Sequence, residues 1–323
     1  MFSVLHYIAE VEKERSFSLA ARNLHLSQPS LSLTIKGFEQ RAGIQLFDRS
    51  STPIRLTEAG AVYIDGIRRI LAIESELDAY IDDYNQKKIG SLTLGAAHFM
   101  ASFLMPTLIS SFLKRYPQIH IRIIEGDFLG LHTMVLEGKI DLFLDSNNFD
   151  DKLFITTPLF EEHLLLAVPA KYEINRGLTR YRLNIGDIRR DIHLHAATPA
   201  VDLTLFRNQP FLILEKGHDL RTRMKHMCRE KGFEPKTTLE PNQLATIYSM
   251  VDHGLGASVV SDTIVKLSST GSHIAFYKLD GQQTTRHINM AYKRNRYVTK
   301  AMGAFIDLMT DTCTHTLSEI ISY

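Results

Sequence analysis

Between Ser16 and Ser32 the chain carries short hydroxyl and amide side chains on what reads as the open N-terminal face of a helix. Side chains of that type in that place can read base edges and hold phosphates. Ser27 is a favourable N-cap, and Pro29 falls in the first turn, where a missing N–H costs nothing. Beyond it Leu31, Ile35 and Phe38 form an apolar stripe, which leaves Gln28, Ser30, Ser32, Thr34 and Lys36 on more open positions. The preceding stretch, Ser18 to Leu24, has the makings of a partner helix. Small Ala20 and Ala21 let a neighbour approach closely beside Leu19 and Leu24, while Arg22 and Asn23 face outward. His25 and Leu26 make the joint. Taken alone, the pair reads equally well as two helices of an ordinary core, so its flanks must decide.

Phe2 to Glu12 reads as a first helix, with Leu5 and Ile8 turned toward the pair. Residues 46 to 57 contain Pro53 and the alternation Ile54, Arg55, Leu56, which suggests a short two-stranded wing; the alternative is a solvated loop. In a wing, Arg49 and Arg55 would lie near backbone phosphates. Thr57 caps a long helix in which Tyr63, Ile67, Ile70, Ile73, Leu77, Tyr80 and Tyr84 recur every three or four residues. That row is a coiled-coil seam and predicts a dimerisation helix, the alternative being a surface helix packed on its own domain. Lys87, Lys88, Ile89 and Gly90 then form a hinge.

The string Ser16-Phe17, Ala20-Ala21, Leu24, Ser27-Gln28-Pro29, Leu31-Ser32 continues as Phe38-Glu39, Gly43 to Arg49 and Leu56-Thr57-Glu58-Ala59-Gly60. Over about forty-five residues this resembles the LysR-type transcriptional regulators, and the length and order of the later elements extend the resemblance over essentially the whole chain. There are departures: Leu33 and Thr52 stand where the family commonly has Arg, and Gly37 weakens its helix by about 1 kcal/mol relative to Ala. The resemblance implies a multidomain fold. An all-α winged helix-turn-helix DNA-binding domain at 1–58 and a linker or dimerisation helix at 59–89 precede an α/β, two-lobed, periplasmic-binding-protein-like (type 2) effector domain at 90–323. Lobe I would hold about 90–168 and 269–323, and lobe II about 169–268. The implied function is a sequence-specific transcription regulator controlled by a small molecule. Its partners would be double-stranded operator DNA, an effector, further copies in a homodimer or homotetramer, and, as an open addition, RNA polymerase.

Charge limits the mechanism. Residues 1–57 carry Lys13, Arg15, Arg22, Lys36, Arg41, Arg49 and Arg55 against Glu10, Glu12, Glu14, Glu39 and Asp48, a net of only +2. Phosphate neutralisation supplies most nonspecific affinity, so one headpiece should bind weakly and several must act together. The whole chain has a formal net charge of +1, so DNA binding must be local to one segment. Only Cys228 and Cys313 occur, without a disulfide framework, and no long apolar run or signal-like start is present, which together predict a cytoplasmic protein without membrane contact.

Past the hinge, strand and helix patterns alternate. Strands are expected at Leu92–Leu94, Ile119–Ile124, Ile140–Leu144, Leu164–Val168, Phe211–Leu214, Thr237–Leu239 and Ala257–Val260. Helices are expected at Phe103–Tyr116, Leu129–Leu136, Leu220–Lys231 and Leu244–His253, with lobe crossings near Val168 and Ser268. In such folds ligands collect beyond the carboxyl ends of strands. That points to Ala97, His98, Phe99 and Met100, to Phe128, and to Lys216, Gly217 and His218, and to a small acidic effector with a flat or apolar body. Residues 170–208, with Arg189, Arg190, His193 and His195, exceed the usual joint and carry no functional reading.

Catalysis and cofactors find no support. The chain has no Gly-x-Ser-x-Gly, His-Glu-x-x-His, phosphate-binding loop or dinucleotide fingerprint. His193 and His195 are not joined by a recognisable local ligand set, so no metal is expected. Two other classes stay open: a ligand-binding protein or enzyme whose N-terminal helices only mediate self-association, and a DNA-binding protein whose sensor fold is purely structural.

Overall fold

The computed structural model describes residues 3–85 and 90–313, so Phe2 and the hinge residues 87–89 lie outside the described part. The chain divides into two compact units, Met1–Lys88 with Leu136–Lys139, and Ile89–Val135 with Ile140–Tyr323.

The first unit opens with α1 (Ser3–Glu14), α2 (Phe17–Asn23) and α3 (Gln28–Ala42). Leu5, Ile8 and Val11 of α1 meet Phe17, Ala20 and Ala21 of α2 and Leu31 and Ile35 of α3 in one buried cluster. The joint between α2 and α3 is tight because His25 takes a left-handed conformation, φ +55°. The N–H groups of His25 and Leu26 then return to the carbonyls of Arg22 and Ala21, which satisfies the orphan acceptors of the helix end. A two-stranded wing follows, β1 (Phe47–Asp48) antiparallel to β2 (Arg55–Leu56). The long helix α4 (Glu58–Asn85) completes the unit. Its start lies so close to the wing base that a Cβ on Gly60 would sit 2.1 Å from the Leu46 carbonyl oxygen, so only glycine fits there. Thr57 caps the helix as expected, its Oγ1 accepting from the Gly60 N–H at 2.9 Å.

One residue of the expected seam is reassigned. Ile67 is 1 % exposed and packs with Ile64 into the headpiece core, whereas Ile70, Ile73, Leu77 and Tyr84 are exposed, as are Val62 and Ile81. The helix carries two apolar faces, and a single period of three to four cannot separate them.

The second unit begins with β3 (Ser91–Ala96), α5 (His98–Phe103), α6 (Met105–Arg115), β4 (His120–Glu125), α7 (Phe128–Leu136) and β5 (Leu142–Asp145). The expected single helix from Phe103 is thus two, meeting at Leu104 just before Pro106. Next comes β6 (Phe154–Pro169), then β7 (Arg182–Leu183), α8 (Ile185–Arg189), β8 (Pro210–Leu212), α9 (Asp219–Glu230) and β9 (Lys236–Leu239). The chain ends with α10 (Leu244–Asp252), β10 (Ser258–Ser261), α11 (Asp262–Leu267), β11 (Ile274–Lys278), β12 (Thr285–Lys293) and α12 (Lys300–Cys313). The main sheet runs β4-β3-β5-β12-β6-β11-β7, with β10 also on β6 and a separate parallel pair β8-β9.

β6 is the element both lobes share. Its first half, Phe154 to His163, pairs with β12, and its second half, Leu164 to Pro169, pairs with β10 and β11. Two cores result. One holds Leu92, Leu94, Met105, Phe112, Met290 and Phe305; the other holds Leu164–Val168, Phe211–Leu214, Val260 and Ile274–Tyr277. The lobe assignment therefore changes at two places. Residues 164–168 and 274–279 belong to the second core rather than the first, which moves the outward crossing into β6 itself and the return to the stretch between β11 and β12. Residues 170–208 are no loose joint: Leu178, Leu183, Ile188, Val201, Leu203 and Phe206 all enter the second core.

Candidate functional site

The helix α3 is built to present its N-terminal face. Ser27 Oγ accepts from the Ser30 N–H at 3.3 Å, which fixes the first turn. Leu31 and Ile35 are fully buried, so Gln28, Pro29, Ser30, Leu33, Thr34 and Lys36 are left exposed on the other side. Three of the expected DNA-binding hydroxyls already carry a bond within the headpiece. The Ser27 hydroxyl is used as a cap, Thr34 Oγ1 donates to the Ser30 carbonyl at 2.9 Å, and Ser32 Oγ accepts from Arg49 Nη1 at 3.0 Å. Gln28 and Lys36 stand in the open on α3, and Arg55 does so on the wing. Leu33, read from the sequence only as a departure, is 69 % exposed in the middle of this face. A branched apolar side chain there can meet a thymine methyl but cannot hydrogen-bond a guanine.

Sequence reasoning missed the residue that holds this face in place. Glu39, on the buried side of α3, is 8 % exposed. Its Oε1 accepts from the backbone N–H of Leu46 at 2.8 Å and of Phe47 at 3.3 Å, and its Oε2 takes Arg49 Nη2 at 3.0 Å. Arg49 also lies over the Phe17 ring, 4.9 Å from its centroid. A residue expected beside phosphate is thus a brace between α2, α3 and the wing, in reach of Ser32 on the recognition face.

The expected effector residues lie in the second unit. Phe99 is half-buried and packs against both cores, so it stands where the lobes meet. Ala97 is the N-cap of α5 without a side-chain bond, and His98 is exposed with Nδ1 3.2 Å from Glu125 Oε2. Met100 departs from expectation: it is 4 % exposed inside the first core and has no surface to offer a ligand. Phe128 is half-buried in a cluster of rings, 5.7 Å from Phe143 and from Phe149 and 5.6 Å from His132. Burial pulls the His132 imidazole down, opposed by the Asp150 charge. Lys216 and Gly217 are exposed; Gly217 needs its φ of +100°, and His218 Nε2 lies 2.8 Å from Asn242 Oδ1.

Beside these loops lies an ion network with no local signature. Arg286 of β12 is buried, with Nε 2.6 Å from Glu162 Oε2 of β6 and Nη1 3.1 Å from Asp219 Oδ2 at the start of α9. Arg223, one turn along α9, holds the same Asp219 oxygen at 2.7 Å and donates to the Thr285 carbonyl at 3.1 Å. The network ties α9 of the second lobe to β6 and β12, the two strands flanking the crossings between the lobes. Burial also pushes the nearby Asp145 carboxyl above its usual range, against hydrogen bonds from Asn147 and the charge of Arg286.

Residues 2–61 match the description "Bacterial regulatory helix-turn-helix protein, lysR family", and residues 85–314 match "LysR substrate binding domain". The chain belongs to the LysR family. It is therefore a DNA-binding transcription regulator with an effector-binding domain, and not an enzyme. Among its LysR relatives is the uncharacterized HTH-type transcriptional regulator YcgK of Bacillus subtilis, 29 % identical over 98 % of this chain and 96 % of its own length. The DNA-binding transcriptional dual regulator OxyR of Escherichia coli is 26 % identical over 91 % of each chain. Among solved structures, a cysteine variant of full-length OxyR from Pseudomonas aeruginosa has a TM-score of 0.69 at 23 % identity, covering 98 % of this chain and 96 % of its own. Full-length CbnR complexed with target DNA has a TM-score of 0.63 at 18 % identity, covering 96 % and 99 %. In this LysR protein Cys228 is buried, and burial pushes its thiol up to about 12, so it holds almost no reactive thiolate at neutral pH.

The Glu39 brace makes a direct prediction. Glu39→Ala leaves two backbone N–H groups and a guanidinium without their acceptor and should destabilise the headpiece by about 1–3 kcal/mol. Hydrogen exchange at the Leu46 and Phe47 amides should accelerate in the variant; unchanged protection at both would contradict the brace.

Proposed function

We propose that this LysR regulator reads promoter DNA with the N-terminal face of α3 and answers to a small acidic, partly apolar effector held between its lobes. The exposed, capped face of α3, braced by Glu39 and Arg49 and carrying Gln28 and Lys36 in the open, carries the reading. The working partition is a headpiece at 1–58, a linker helix at 59–89 and an effector domain at 90–323. Gln28 is the base reader, with Leu33 as an apolar contact; Lys36 and Arg55 neutralise phosphate. Ser27, Pro29, Ser30, Ser32, Thr34 and Arg49 shape and position that face. The structure of CbnR with its target DNA, a protein of the same fold, supports duplex DNA as the partner.

A headpiece of such low net charge needs company. The exposed apolar residues Ile70, Ile73, Leu77 and Ile81 of α4 supply it by pairing with a second copy, in a homodimer or a homotetramer made of two. Two recognition helices then reach half-sites about 34 Å, or a multiple of that, apart on one face of the duplex. Among the described residues no helix is long and apolar enough to cross a membrane, and we place the protein's work in the cytoplasm.

The effector would lie against Phe99, with Lys216 and His218 toward its acidic end. Its binding favours one arrangement of the lobes, and the equilibrium moves only by the difference in affinity between arrangements. The Asp219–Arg286 and Asp219–Arg223 pairs are the contacts that such a shift would remake.

Three outcomes are expected. Gln28→Ala should weaken binding to a selected operator by about 1–3 kcal/mol and leave random duplex nearly unaffected; equal loss on both DNAs in a filter or anisotropy titration would deny base reading. Ile70→Glu should halve the mass seen by light scattering and abolish cooperative DNA binding, whereas an unchanged mass would refute the seam. Phe99→Ala and Lys216→Ala should each remove the thermal stabilisation given by any small acid that stabilises the wild type, while operator affinity of the free protein stays the same. Retention of that stabilisation in both variants would place the effector elsewhere.

A further inference from the structure

The second lobe holds a cluster of chemistry that the regulator reading does not use. His163 near the middle of β6, His193 in the 170–208 segment and Asp262 at the start of α11 offer ligand atoms all within 4.8 Å of one another. They are 30 to 99 positions apart in the chain, which is why no spacing announces them. His193 Nε2 is 3.1 Å from Asp262 Oδ2, and His163 Nδ1 is 3.9 Å from the same oxygen. A tetrahedral ion with bonds of about 2.0–2.1 Å separates its donors by about 3.4 Å. Both imidazole separations from Asp262 Oδ2 thus already bracket the spacing that a bound ion would impose.

Four further observations point to a cation. The other ring nitrogen of His163, Nε2, is 3.4 Å from Glu161 Oε1. A carboxylate behind the far nitrogen is the usual support of a metal-bound imidazole. His193 and Asp262 are each 2 % exposed, and His193 Nδ1 has no hydrogen-bond partner, so the ring meets the cluster through Nε2, whose proton toward Asp262 is the one an ion would displace. Lys266 Nζ lies 2.7 Å from Asp191 and 3.0 Å from Asp262, so a second carboxylate is at hand to hold the ammonium when an ion takes Asp262. Finally, a cavity of about 300 Å³ opens beside the cluster, lined by His163, His193, Lys278, Thr284 and Thr285 among others. It gives an ion a route in and room for water in a fourth position.

We propose that His163, His193 and Asp262 form a site for a divalent transition-metal cation of the zinc class, with Glu161 orienting His163 and Lys266 retained by Asp191 when the ion binds. Two imidazoles and one carboxylate are a donor set that suits zinc, cobalt or nickel better than magnesium or calcium. The site joins the strand shared by the lobes to the 170–208 segment and to α11, so an ion there would fasten that segment to the second lobe. This also reverses the expectation of no metal, which considered only the local pair His193 and His195.

The test uses the full, untagged chain, stripped with a chelator and dialysed against Zn2+ or Co2+ near neutral pH. One ion per chain is expected, with Co2+ giving the visible absorption of a low-coordinate nitrogen and oxygen site. His163→Gln, at a half-buried position, should lose this ion, and Glu161→Gln should weaken it about ten- to hundredfold. Circular dichroism identical to the wild type shows that either variant is folded. Absence of ion and absorption in the wild type overturns the site. Equal stoichiometry and affinity in folded His163→Gln also overturns it, since the ion would then sit on other histidines.

Discussion

One carboxylate fixes the surface on which this regulator depends. Glu39 lies on the buried side of the recognition helix, yet it does not serve that helix; it accepts the N–H groups of Leu46 and Phe47 and the guanidinium of Arg49. Buried donors need acceptors, and here the two oxygens of one side chain serve three donors at once. The wing is only two residues on each strand and has little pairing of its own. Its position follows from Glu39, from the close approach of Gly60 to Leu46, and from the Thr57 cap. The angle between α3 and the wing is therefore set by packing inside the headpiece before any DNA arrives. On the proposed reading DNA would meet a preformed surface, and binding need not supply the cost of ordering it.

In the sensor unit the equivalent constraint is a shared strand. β6 gives its first half to one core and its second half to the other, so the lobes are joined through a single continuous strand. Around the crossing, polar groups are paired in place of apolar packing: Arg286 with Glu162 and Asp219, and Asp219 with Arg223. Buried ion pairs contribute little net stability because desolvation offsets their attraction, but breaking one side of such a pair is costly. A joint of that kind resists partial rearrangement and favours a small number of discrete arrangements. That property suits a domain whose output is a change of state.

The headpiece was largely legible in the sequence because its determinants are local. Ser27 before Pro29, the paired Ala20 and Ala21, and the Thr57 cap each act within a few residues, and the structure uses each as its chemistry suggests. The linker helix was legible in length but not in facing. Ile67 and Ile70 both fit the apolar period, and only the headpiece core shows that the first of them is already buried. In β6 the first half escaped notice because Pro158, Glu161 and Glu162 interrupt any apolar run, and a register shift against β12 breaks the alternation. The polar sites were the least legible part. Glu162 meets Arg286 across 124 positions and His193 meets Asp262 across 69, distances that no motif spans.

The central claim is that α3 presents a rigid surface that reads duplex DNA in pairs. Footprinting of the full chain on duplexes selected from a random pool tests it most directly. The account predicts protection of two short half-sites on one face of the helix, centred about 10 base pairs or a multiple of that apart. Binding that weakens steeply with salt yet yields no common sequence and no periodic protection would contradict it.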